Sequence, residues 1–390
     1  MTSAVHPQRR DTAATRSPQA TDAGPRATIV FAGGGSGGHI SPGLAIAERV
    51  REVAPQARLL FICSTRSVDS DMLREAEAEF IALDARPFAM RPWAILGALA
   101  AFRRARVAAE EILEQEAVGQ VVALGGFVSA PVAAAAMRRE VPVTLINLDA
   151  KPGRANRWLA RHSDRVLSAV PTSGDARFAR RVTDVVGMPL RRLAIAPGEP
   201  AECRRRLGLD PDRPTLLVTG ASQGSLSMNR LLAEMAAQRP ALLRGWQVLH
   251  LAGSGDIADL VRAYHASGVL ATVLPFLHRM GLAWGAADAA ISRAGASSVA
   301  EAAANAVPTL FLPYPFHKDL HQRLNAQPLV DRGAALMEPD LIDPQRNLEA
   351  LEPVLERLLL DAEARMRMRQ ALRTEPPLDA AAAVARMILS

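Results

Sequence analysis

The sequence predicts an α/β protein made of two Rossmann-like, doubly wound domains that face each other across a cleft. Three observations support this prediction. The chain has 390 residues, which is more than one hydrophobic core normally serves. Short apolar runs alternate with longer helical segments, as in parallel sheets that helices cover on both faces. The same alternation starts again near residue 191, after "VVGMPLRR".

The composition limits the partners and the compartment. The net charge of +6 favours anions such as phosphates, nucleic acid or acidic lipid, without choosing among them. Cys63 and Cys203 are far apart and lack the spacing of metal ligands, so we expect reduced cytosolic thiols. We find no apolar run long enough to span a membrane and no signal-peptide hydrophobic region. We therefore expect a soluble or peripheral protein.

Residues 1–26 are predicted to form a disordered tail. They are rich in Ser, Thr, Pro, Ala and Arg and carry almost no large apolar side chains, so burial cannot offset the entropy of ordering them. A transit peptide is the alternative. Two aspartates and the lack of amphipathic periodicity argue against it.

The first domain is predicted over residues 27–190. Continuous apolar runs, typical of buried parallel strands, occur in "ATIVFAGG", "ARLLFICST", "VVALGG", "VPVTLINL" and "RVLSAV". The segment "SPGLAIAERVREVAP" between the first two runs has the pattern of a helix.

The second domain is predicted over residues 191–376. It begins with a strand, a glycine-containing turn and a helix in "TLLVTGASQGSLSMNRLLAEMAAQ". The pattern continues through "WQVLHLAGSG", "ATVLPFL", "DAAISRAGASSVAEAAANA" and "VPTLFLPYP". Ligands of open α/β sheets bind at the carboxyl ends of the strands, so we expect them in the cleft between the two domains.

The turn after the first strand, "GGGSGGHISP", is the first candidate ligand site. Gly33, Gly35 and Gly38 satisfy the dinucleotide pattern G-x-G-x-x-G, which is weak evidence alone. The second strand ends in "STR" (residues 64–66), where a ribose-binding acid is expected, so NAD is disfavoured; the arginine leaves NADP open. A P-loop is excluded, because no lysine follows the last glycine.

The turn still has the features of a general anion site. Glycines let backbone N–H groups approach an anion, and the following helix directs its positive end at it. His39 lies at that end, which disfavours the protonated imidazole, so we expect a neutral side chain able to accept a proton. The alternative is that His39 only caps the helix.

Two further segments repeat this design of strand, glycines and helix start. They are "GGFVSAPVAAAA" (residues 125–136), where Ser129 is placed to donate a hydrogen bond, and "TGASQGSLSMN" (residues 219–229). One such turn is usually structural. Three turns that open toward one cleft favour phosphate binding.

Six segments carry a family resemblance. In order, they are "GGGSGGHISP", "GGFVSAP", "VGMPLR", "GASQGSLSMN", "SRAGASSVAE" and "PYPFHKDLHQRLNA". Their order and spacing resemble the MurG family of bacterial glycosyltransferases, from about residue 27 to residue 390. The resemblance implies the two-Rossmann GT-B fold, in which a final helix (residues 377–390) crosses back onto the N-terminal domain. It also implies that the C-terminal domain binds UDP-N-acetylglucosamine and that the N-terminal domain binds the acceptor.

The resemblance implies a set of donor-binding residues. Glu301 matches the carboxylate that holds the ribose hydroxyls, although a solvated helix-face glutamate is the alternative. Ala221 stands where a second glycine is usual, and Met188 where an asparagine is usual. The implied donor contacts are Arg191, Ser222, Gln223, Phe276, Leu277, Met280, Ala296, Ser297, Ser298, Glu301, Gln322 and Asn325.

The resemblance also implies acceptor-side and phosphate-binding residues, and here the sequence departs from the family. The family usually has "HEQN" where this chain has "INLD" (residues 146–149), and Phe127 replaces a tyrosine. The implied acceptor or phosphate contacts are Gly35, Ser36, Gly37, Gly38, Gly125, Gly126, Phe127, Ser129, Asn147 and Asp149. These departures affect the acceptor, whereas most donor positions match.

The implied reaction is a direct displacement with inversion at the anomeric carbon of the donor sugar. His39 accepts the proton of the acceptor hydroxyl, while backbone N–H groups, helix ends and Arg191 stabilise the departing UDP. The motifs contain no acidic metal-binding cluster, so we expect no essential metal and no cofactor. We expect no nucleic acid partner.

The segment "RPFAMRPWAILGALAAFRRAR" (residues 86–106) combines Trp93 and an apolar stretch with flanking arginines. This composition fits a helix lying on an anionic membrane surface, and an ordinary amphipathic domain helix is the alternative. A polyprenyl-diphosphate-linked sugar acceptor requires contact with lipid. We therefore expect a peripheral location on the cytoplasmic face of the cell membrane.

Three functions remain open from the sequence. The first is transfer of N-acetylglucosamine to the lipid-linked muramyl-peptide precursor of peptidoglycan, lipid I to lipid II. The second is a related GT-B transferase that uses a nucleotide sugar with another lipid-linked or glycolipid acceptor. The third is a catalytically silent relative that binds a UDP-sugar. The presence of His39, Glu301, Gln322 and Asn325 argues against the third.

Overall fold

The structure, a computed structural model, describes residues 28–35, 38–87, 95–220, 224–255, 257–316, 320–374 and 379–390. The predicted tail over residues 1–26 lies outside the described residues. The described chain divides into two compact units. One contains the residues up to Ile40 and Gln56–Thr144, and the other contains Ser41–Pro55 and Leu145–Ser390.

The first sheet has seven strands in the order β3-β2-β1-β4-β5-β6-β7. The strands are β1 (Thr28–Gly33), β2 (Leu59–Ser64), β3 (Phe80–Leu83), β4 (Val118–Gly125), β5 (Val143–Asn147), β6 (Arg165–Ser168) and β7 (Asp184–Val185). β1 pairs in parallel with both β2 and β4. Every residue of β1 and β2 is buried, which explains why these strands are continuous apolar runs.

Six helices accompany the first sheet in the sequence. They are α1 (Ile40–Val53), α2 (Ser67–Glu75), α3 (Ile95–Gln115), α4 (Gly126–Arg138), α5 (Arg154–Leu159) and α6 (Ala176–Ala179). The predicted helix after the first strand is confirmed as α1, which starts one residue earlier and ends two residues earlier than its sequence pattern. α4 begins directly at the end of β4, so the glycine pair there forms the whole connection.

The second sheet has six strands in the order β10-β9-β8-β11-β12-β13, and all its pairings are parallel. The strands are β8 (Thr215–Thr219), β9 (Gln247–Leu251), β10 (Leu270–Leu274), β11 (Ala289–Ser292), β12 (Thr309–Phe311) and β13 (Leu336–Met337). The accompanying helices are α7 (Pro200–Arg206), α8 (Leu226–Gln238), α9 (Ala258–Ala266), α10 (Met280–Ala286), α11 (Ala296–Ala304), α12 (His321–Asp331), α13 (Pro344–Leu359) and α14 (Ala362–Arg373).

Both faces of the second sheet are covered. Leu216 and Val218 of β8 pack into a core with α8, α9 and α13, whereas Leu217 packs into a core with α10, α11 and α12. Successive side chains of a strand point to opposite faces, so this division places helices on both sides of the sheet. The prediction of doubly wound α/β architecture is confirmed.

The strand orders place one topological switch point in each sheet. β1 lies between β2 and β4 in the first sheet, and β8 lies between β9 and β11 in the second. Connections from neighbouring strands leave in opposite directions at such a point, which opens a crevice at the carboxyl ends of the strands. The first and third predicted glycine turns follow β1 and β8, and the second follows β4.

The last helix, α15 (Ala380–Leu389), contacts residues from the N-terminal half of the sequence. Asp379 caps α15 and its carboxylate pairs with Arg49 of α1 at 2.8 Å. Arg165 of β6 donates a hydrogen bond to the Met387 carbonyl. The resemblance implies that this helix crosses back onto the N-terminal domain, which stays a prediction.

Candidate active site

The first two glycine turns are in direct contact at the carboxyl ends of β1 and β4. Gly34 has φ +140° and Gly126 has φ +80°, values that L side chains rarely adopt. A Cβ on Gly126 would lie 2.5 Å from the Gly34 carbonyl oxygen, closer than real Cβ atoms approach. A Cβ on Gly34 would lie 2.4 Å from Asp69 Oδ2, so both positions require glycine.

His39 lies beside this contact. It is half-buried and directly precedes α1. A Cβ on Gly126 would lie 3.4 Å from His39 Nδ1, and a Cβ on Gly33 would lie 3.4 Å from His39 Cβ. The His39 side chain therefore packs close to Gly33 and Gly126, and a side chain at either position would crowd it. The structure places the predicted base next to both turns.

A buried carboxylate that sequence reasoning missed holds the first turn. The Gly35 N–H donates to Asp69 Oδ2 at 2.6 Å, and the Ser64 hydroxyl donates to the same oxygen at 2.5 Å. Asp69 is wholly buried in the first turn of α2. Sequence reasoning sought a ribose-binding acid at the end of the second strand, whereas this acid lies five residues later and binds the protein's own backbone.

Arg66 and Phe127 also pack on this turn. Arg66 donates a hydrogen bond to the Gly35 carbonyl, and its guanidinium lies 5.4 Å from the centre of the Phe127 ring. A Cβ on Gly35 would lie 2.5 Å from Phe127 Cε1. Arg66 is the residue that the sequence leaves as a candidate for binding NADP, and in the structure it binds the backbone of the first turn. Phe127 fills the space beside it as an apolar wall.

Ser129, which the sequence predicts as a ligand contact, forms hydrogen bonds within the protein. It is wholly buried in α4, and its hydroxyl accepts from the Gly125 N–H at 3.0 Å. The hydroxyl oxygen also lies 2.6 Å from two carbonyl acceptors, those of Ala32 and Gly125. Its single proton is shared between these acceptors. We assign Ser129 to the support of the two turns, because no part of its side chain is exposed.

Asn147, which the resemblance implies as an acceptor contact, also forms hydrogen bonds within the protein. It is wholly buried at the end of β5, and its amide donates to the Asp149 carbonyl at 2.7 Å and to the Ser168 hydroxyl at 3.1 Å. Its side-chain oxygen accepts from the Asn156 amide at 3.0 Å. These hydrogen bonds shape the loop that presents Asp149.

On the second sheet, the start of α11 follows the end of β11. Ala296, Ser297 and Ser298 form its first turn, are half-buried and include no acidic residue. The backbone N–H groups at such an end attract anions. One turn further along the helix, Glu301 Oε2 accepts from the Trp284 indole at 2.8 Å. Burial raises the pKa of Glu301 to about 7, so its charge changes near neutral pH.

A buried ion pair, also missed by sequence reasoning, holds the start of α8. Arg293 lies 2.7 Å from Asp340, and both side chains are almost wholly buried. The guanidinium also donates to the hydroxyls of Ser225 and Ser227, each at 2.7 Å, and to the Leu312 carbonyl at 2.8 Å. Arg293 stands inside the quoted motif "SRAGASSVAE", but Asp340 lies in none of the motifs, so sequence offered no signal for the pair.

Two predicted sugar contacts lie on α12. The Gln322 side-chain oxygen accepts from the Tyr314 N–H at 2.8 Å. Asn325 accepts from the Ala150 N–H at 3.1 Å and donates to Asp149 Oδ1 at 3.2 Å. Asp149 and Ala150 belong to the same compact unit as α12. The structure thus brings together Asn325, predicted on the donor side, and Asp149, predicted on the acceptor side.

The remaining predicted donor residues are more dispersed. Phe276 is 45% exposed, whereas Leu277 and Met280 pack against the second-sheet core. Arg191 donates to Glu48 Oε1 at 3.0 Å, so its charge has a carboxylate partner.

Gly38 is exposed, and Gly125 forms part of the second turn. Ser36, Gly37, Ser222 and Gln223 lie outside the described residues. Within the described ranges, we find no group of three or more His, Cys, Asp or Glu side chains placed to hold a metal.

Replacing Asp69 tests the support of the first glycine turn. Asp69→Ala leaves the Gly35 N–H and the Ser64 hydroxyl without this acceptor, so we expect the free energy of unfolding to fall by about 3 kcal/mol in urea titrations. Asp71→Ala is the control, because Asp71 is an exposed member of the same helix paired with Arg74. Its expected change is below about 1 kcal/mol. Equal losses in the two variants would contradict the supporting role of Asp69.

Comparison with known proteins identifies the family. The model of the glycosyltransferase family 28 N-terminal domain matches residues 29–168, and that of the family 28 C-terminal domain matches residues 215–384. A Nocardioides protein named UDP-N-acetylglucosamine–N-acetylmuramyl-(pentapeptide) pyrophosphoryl-undecaprenol N-acetylglucosamine transferase is 34% identical over 93% of this chain and 97% of its own length. A Paenarthrobacter aurescens protein of the same name is 38% identical over 84% of this chain and 87% of its own.

Solved structures agree on the fold. Acinetobacter baumannii MurG aligns with a TM-score of 0.68 at 22% identity, covering 93% of this chain and 99% of that one. The calicheamicin glycosyltransferase CalG4 aligns with a TM-score of 0.61 at 19% identity, covering 93% of this chain and 98% of that one. The expected arrangement of two Rossmann-like domains is confirmed. On the two family models and the full-length relatives, this chain belongs to glycosyltransferase family 28 and, within it, to the MurG family.

Proposed function

We propose that this protein transfers N-acetylglucosamine from UDP-N-acetylglucosamine to the muramyl-pentapeptide carried on undecaprenyl diphosphate, converting lipid I to lipid II in peptidoglycan synthesis. Relatives at 34% and 38% identity are named for this transfer and are matched over most of their length. The geometric observation that carries the proposal is the position of His39 beside two touching glycine turns. A base next to backbone N–H groups suits an acceptor that carries both a hydroxyl and a diphosphate.

In the proposed reaction, the acceptor hydroxyl oxygen attacks the anomeric carbon of the donor sugar. The bond between that carbon and the diphosphate oxygen breaks, and the configuration inverts. His39 accepts the hydroxyl proton, and UDP leaves with the bonding electron pair. The N-terminal turn of α11 supplies oriented N–H groups to stabilise the charge that develops on UDP.

The donor side of the proposal uses Glu301 for the ribose and the amides of Gln322 and Asn325 for the sugar hydroxyls. An ionised carboxylate accepts from both hydroxyls of a vicinal diol, and an amide both donates and accepts. Arg191 is proposed to contact the nucleotide, which requires it to leave Glu48. We propose no essential metal, because N–H groups and this guanidinium carry the charge of the diphosphate.

Two of the departures on the acceptor side, at Asn147 and Phe127, do not require a different acceptor. Asn147 stands where the family usually has glutamate, but its side chain is buried and hydrogen-bonded within the protein. Phe127 lacks the usual hydroxyl and packs with Arg66 on the first turn. Both changes are accommodated inside the fold. The second candidate, a GT-B transferase with another lipid acceptor, therefore gains little from them.

The proposed acceptor is embedded in a membrane, and α3 offers an exposed face suited to its surface. Leu96 is 80% exposed and Leu99 is 51% exposed, and Arg103 and Arg104 are exposed on the same helix. Trp93 lies outside the described residues. None of the described helices is long and apolar enough to cross a membrane. We propose peripheral binding of α3 to an anionic membrane, on its cytoplasmic face.

A transfer assay with radiolabelled UDP-N-acetylglucosamine tests the reaction. We expect product with the muramyl-pentapeptide lipid and none with other lipid-linked sugars.

His39→Ala should lower kcat by a factor of about 10²–10⁴, because the hydroxyl proton loses its acceptor. His265→Ala, on an exposed helix end, is the control. Product with a different lipid only would refute the acceptor, and normal kcat in His39→Ala would refute the base.

Glu301→Gln tests the half-buried Glu301 carboxylate through the pH dependence of stability. Glutamate ionises near pH 4.5 when unfolded and near pH 7 when folded, so ionisation of Glu301 costs stability. The cost is absent below about pH 4.5, grows as pH rises to 7 and is complete above it. We expect the Tm of Glu301→Gln to exceed that of the wild type increasingly over this interval. The exposed control Glu349→Gln should show no such trend.

The same variant should bind donor more weakly. Loss of the charged acceptor should weaken UDP-N-acetylglucosamine binding by about tenfold at pH 8. Wild-type affinity should rise between pH 6 and 8 as Glu301 ionises, whereas the affinity of the variant should not. Calorimetry measures both. Normal donor binding by Glu301→Gln at pH 8 would contradict the proposed contact between Glu301 and the ribose.

Vesicle sedimentation tests the membrane proposal. We expect Leu96→Glu with Leu99→Glu to reduce binding to anionic vesicles by at least about tenfold, since two apolar contacts are replaced by charges that the surface repels. The control, Leu270→Glu with Leu360→Glu, changes two leucines of similar exposure elsewhere and should bind normally. Equal binding of the wild type and the α3 variant would refute a role for α3.

A further inference from the structure

A cleft of about 410 Å³ lies between α5 and α6, and none of its residues belongs to the proposed catalytic or substrate-binding set. Trp158 and Phe178 form part of its wall. Its charged lining consists of Arg154, Arg157, Arg161, Arg177, Arg181 and Asp175. All these residues lie within one compact unit. We call this feature the arginine cleft.

The arginine cleft carries a large excess of positive charge. Asp175 is the one carboxylate in the lining, and one of its oxygens already accepts from the Arg177 and Phe178 N–H groups at the start of α6. Its other oxygen lies 3.9 Å from Arg157. One carboxylate against five guanidinium groups leaves an excess of four positive charges. Such a concentration of one sign in a concave surface attracts anions.

The arginine cleft differs from sites where an arginine pairs with one carboxylate. Arg192 pairs in this way with Glu52 at 2.7 Å, and Arg239 with Glu352 at 2.6 Å. Within the part of the chain that the structure describes, the side chains of Arg161 and Arg177 have no carboxylate within ion-pair distance. Their charges face the cleft without a matched acid.

Part of the cleft is preorganised. Arg181 donates to the Ala160 carbonyl at 2.8 Å and to the Ser163 carbonyl at 3.2 Å. These bonds tie the chain after α6 to the turn after α5, so they fix the width of the cleft. A guanidinium held by carbonyl groups keeps its charge and loses little further freedom when an anion binds.

The charge and volume select a diphosphate. A single phosphate group carries about −1.5 to −2 at pH 7, which leaves about half of the excess charge unmatched. Two linked phosphate groups match it more closely and present several oxygens for forked guanidinium contacts. The volume also lies in the usual range for small-ligand sites, about 300–1,000 Å³, and exceeds the needs of orthophosphate.

We propose that the arginine cleft is a second anion site, which binds a small diphosphate through Arg161 and Arg177. This site is distinct in its residues from the glycine turns and from the donor contacts, and it does not depend on the proposed transferase activity. The diphosphate has two possible sources, a soluble molecule or a lipid headgroup. The experiment separates them.

Calorimetric titration of the full chain with inorganic pyrophosphate tests the proposal in the presence of saturating UDP, which blocks the donor site. We expect two saturable sites whose affinities fall as salt increases, one in the arginine cleft and one at the glycine turns. Arg161→Gln with Arg177→Gln should weaken binding to the first site alone, by at least tenfold. The affinity of Arg161→Lys with Arg177→Lys should lie between those of the wild type and the glutamine variant. Lysine keeps the positive charge but lacks the paired N–H groups of the guanidinium. Arg230→Gln with Arg244→Gln, which changes two exposed arginines elsewhere, should bind as the wild type does.

The same proteins are then sedimented with vesicles containing a polyprenyl diphosphate and with vesicles containing phosphatidylglycerol. If Arg161→Gln with Arg177→Gln loses binding only to the polyprenyl diphosphate vesicles, the ligand is a lipid headgroup. If its binding to both kinds of vesicle is unchanged, the ligand is a soluble diphosphate. The proposal is overturned by absence of saturable pyrophosphate binding, by equal affinity in the two glutamine variants, or by loss of phosphatidylglycerol binding with pyrophosphate affinity unchanged. Because the changed arginines are exposed, matching thermal unfolding curves confirm that the variants fold.

Discussion

The approach of two backbones at the carboxyl ends of β1 and β4 determines the rest of the first-sheet site. A Cβ on Gly126 would lie 2.5 Å from the Gly34 carbonyl oxygen, and a Cβ on Gly34 would lie 2.4 Å from Asp69 Oδ2. The His39 imidazole lies beside the same contact, since a Cβ on Gly126 would lie 3.4 Å from its Nδ1. Two wholly buried side chains bind the backbone of the turns, Asp69 at the Gly35 N–H and Ser129 at the Gly125 N–H. His39, the described parts of the turns and these two side chains therefore pack as one structural unit.

In the second sheet, a buried ion pair holds the start of α8. Arg293 and Asp340 are both withdrawn from water, and a buried ion pair is costly unless its remaining donors and acceptors are satisfied. Here Arg293 also bonds to two hydroxyls and a carbonyl, and Asp340 accepts from Ser227 and from Asn347. These bonds compensate the desolvation and connect the start of α8, the end of β11 and the end of β12. Hydrogen bonds between neutral groups would hold the start of α8 less strongly than these charged groups do.

Sequence predicted the central strands and their glycine turns, because a strand buried on both faces must be continuously apolar and a backbone contact demands glycine. It did not predict the edge strand β7, which has two exposed residues and therefore no apolar pattern. Sequence also pointed to His39 and Glu301 through their motifs. It missed Asp69 and Asp340, because a buried acid is recognisable only when its partners, distant in sequence, are known. For the same reason it gave no sign that Ser129 and Asn147, which it predicted as ligand contacts, are wholly buried and hydrogen-bonded within the protein.

The hydrogen bonds of Asn325 bear on how a sugar can be recognised. Its amide accepts from the Ala150 N–H and donates to Asp149. A sugar that binds Asn325 has to replace both partners, and only a group that donates and accepts does so without leaving a buried polar atom unsatisfied. A hydroxyl meets this requirement, whereas a methyl or an ether oxygen does not. In the proposed donor site, the contact between Asp149 and Asn325 would thus raise the discrimination between hydroxyl-bearing sugars and their analogues.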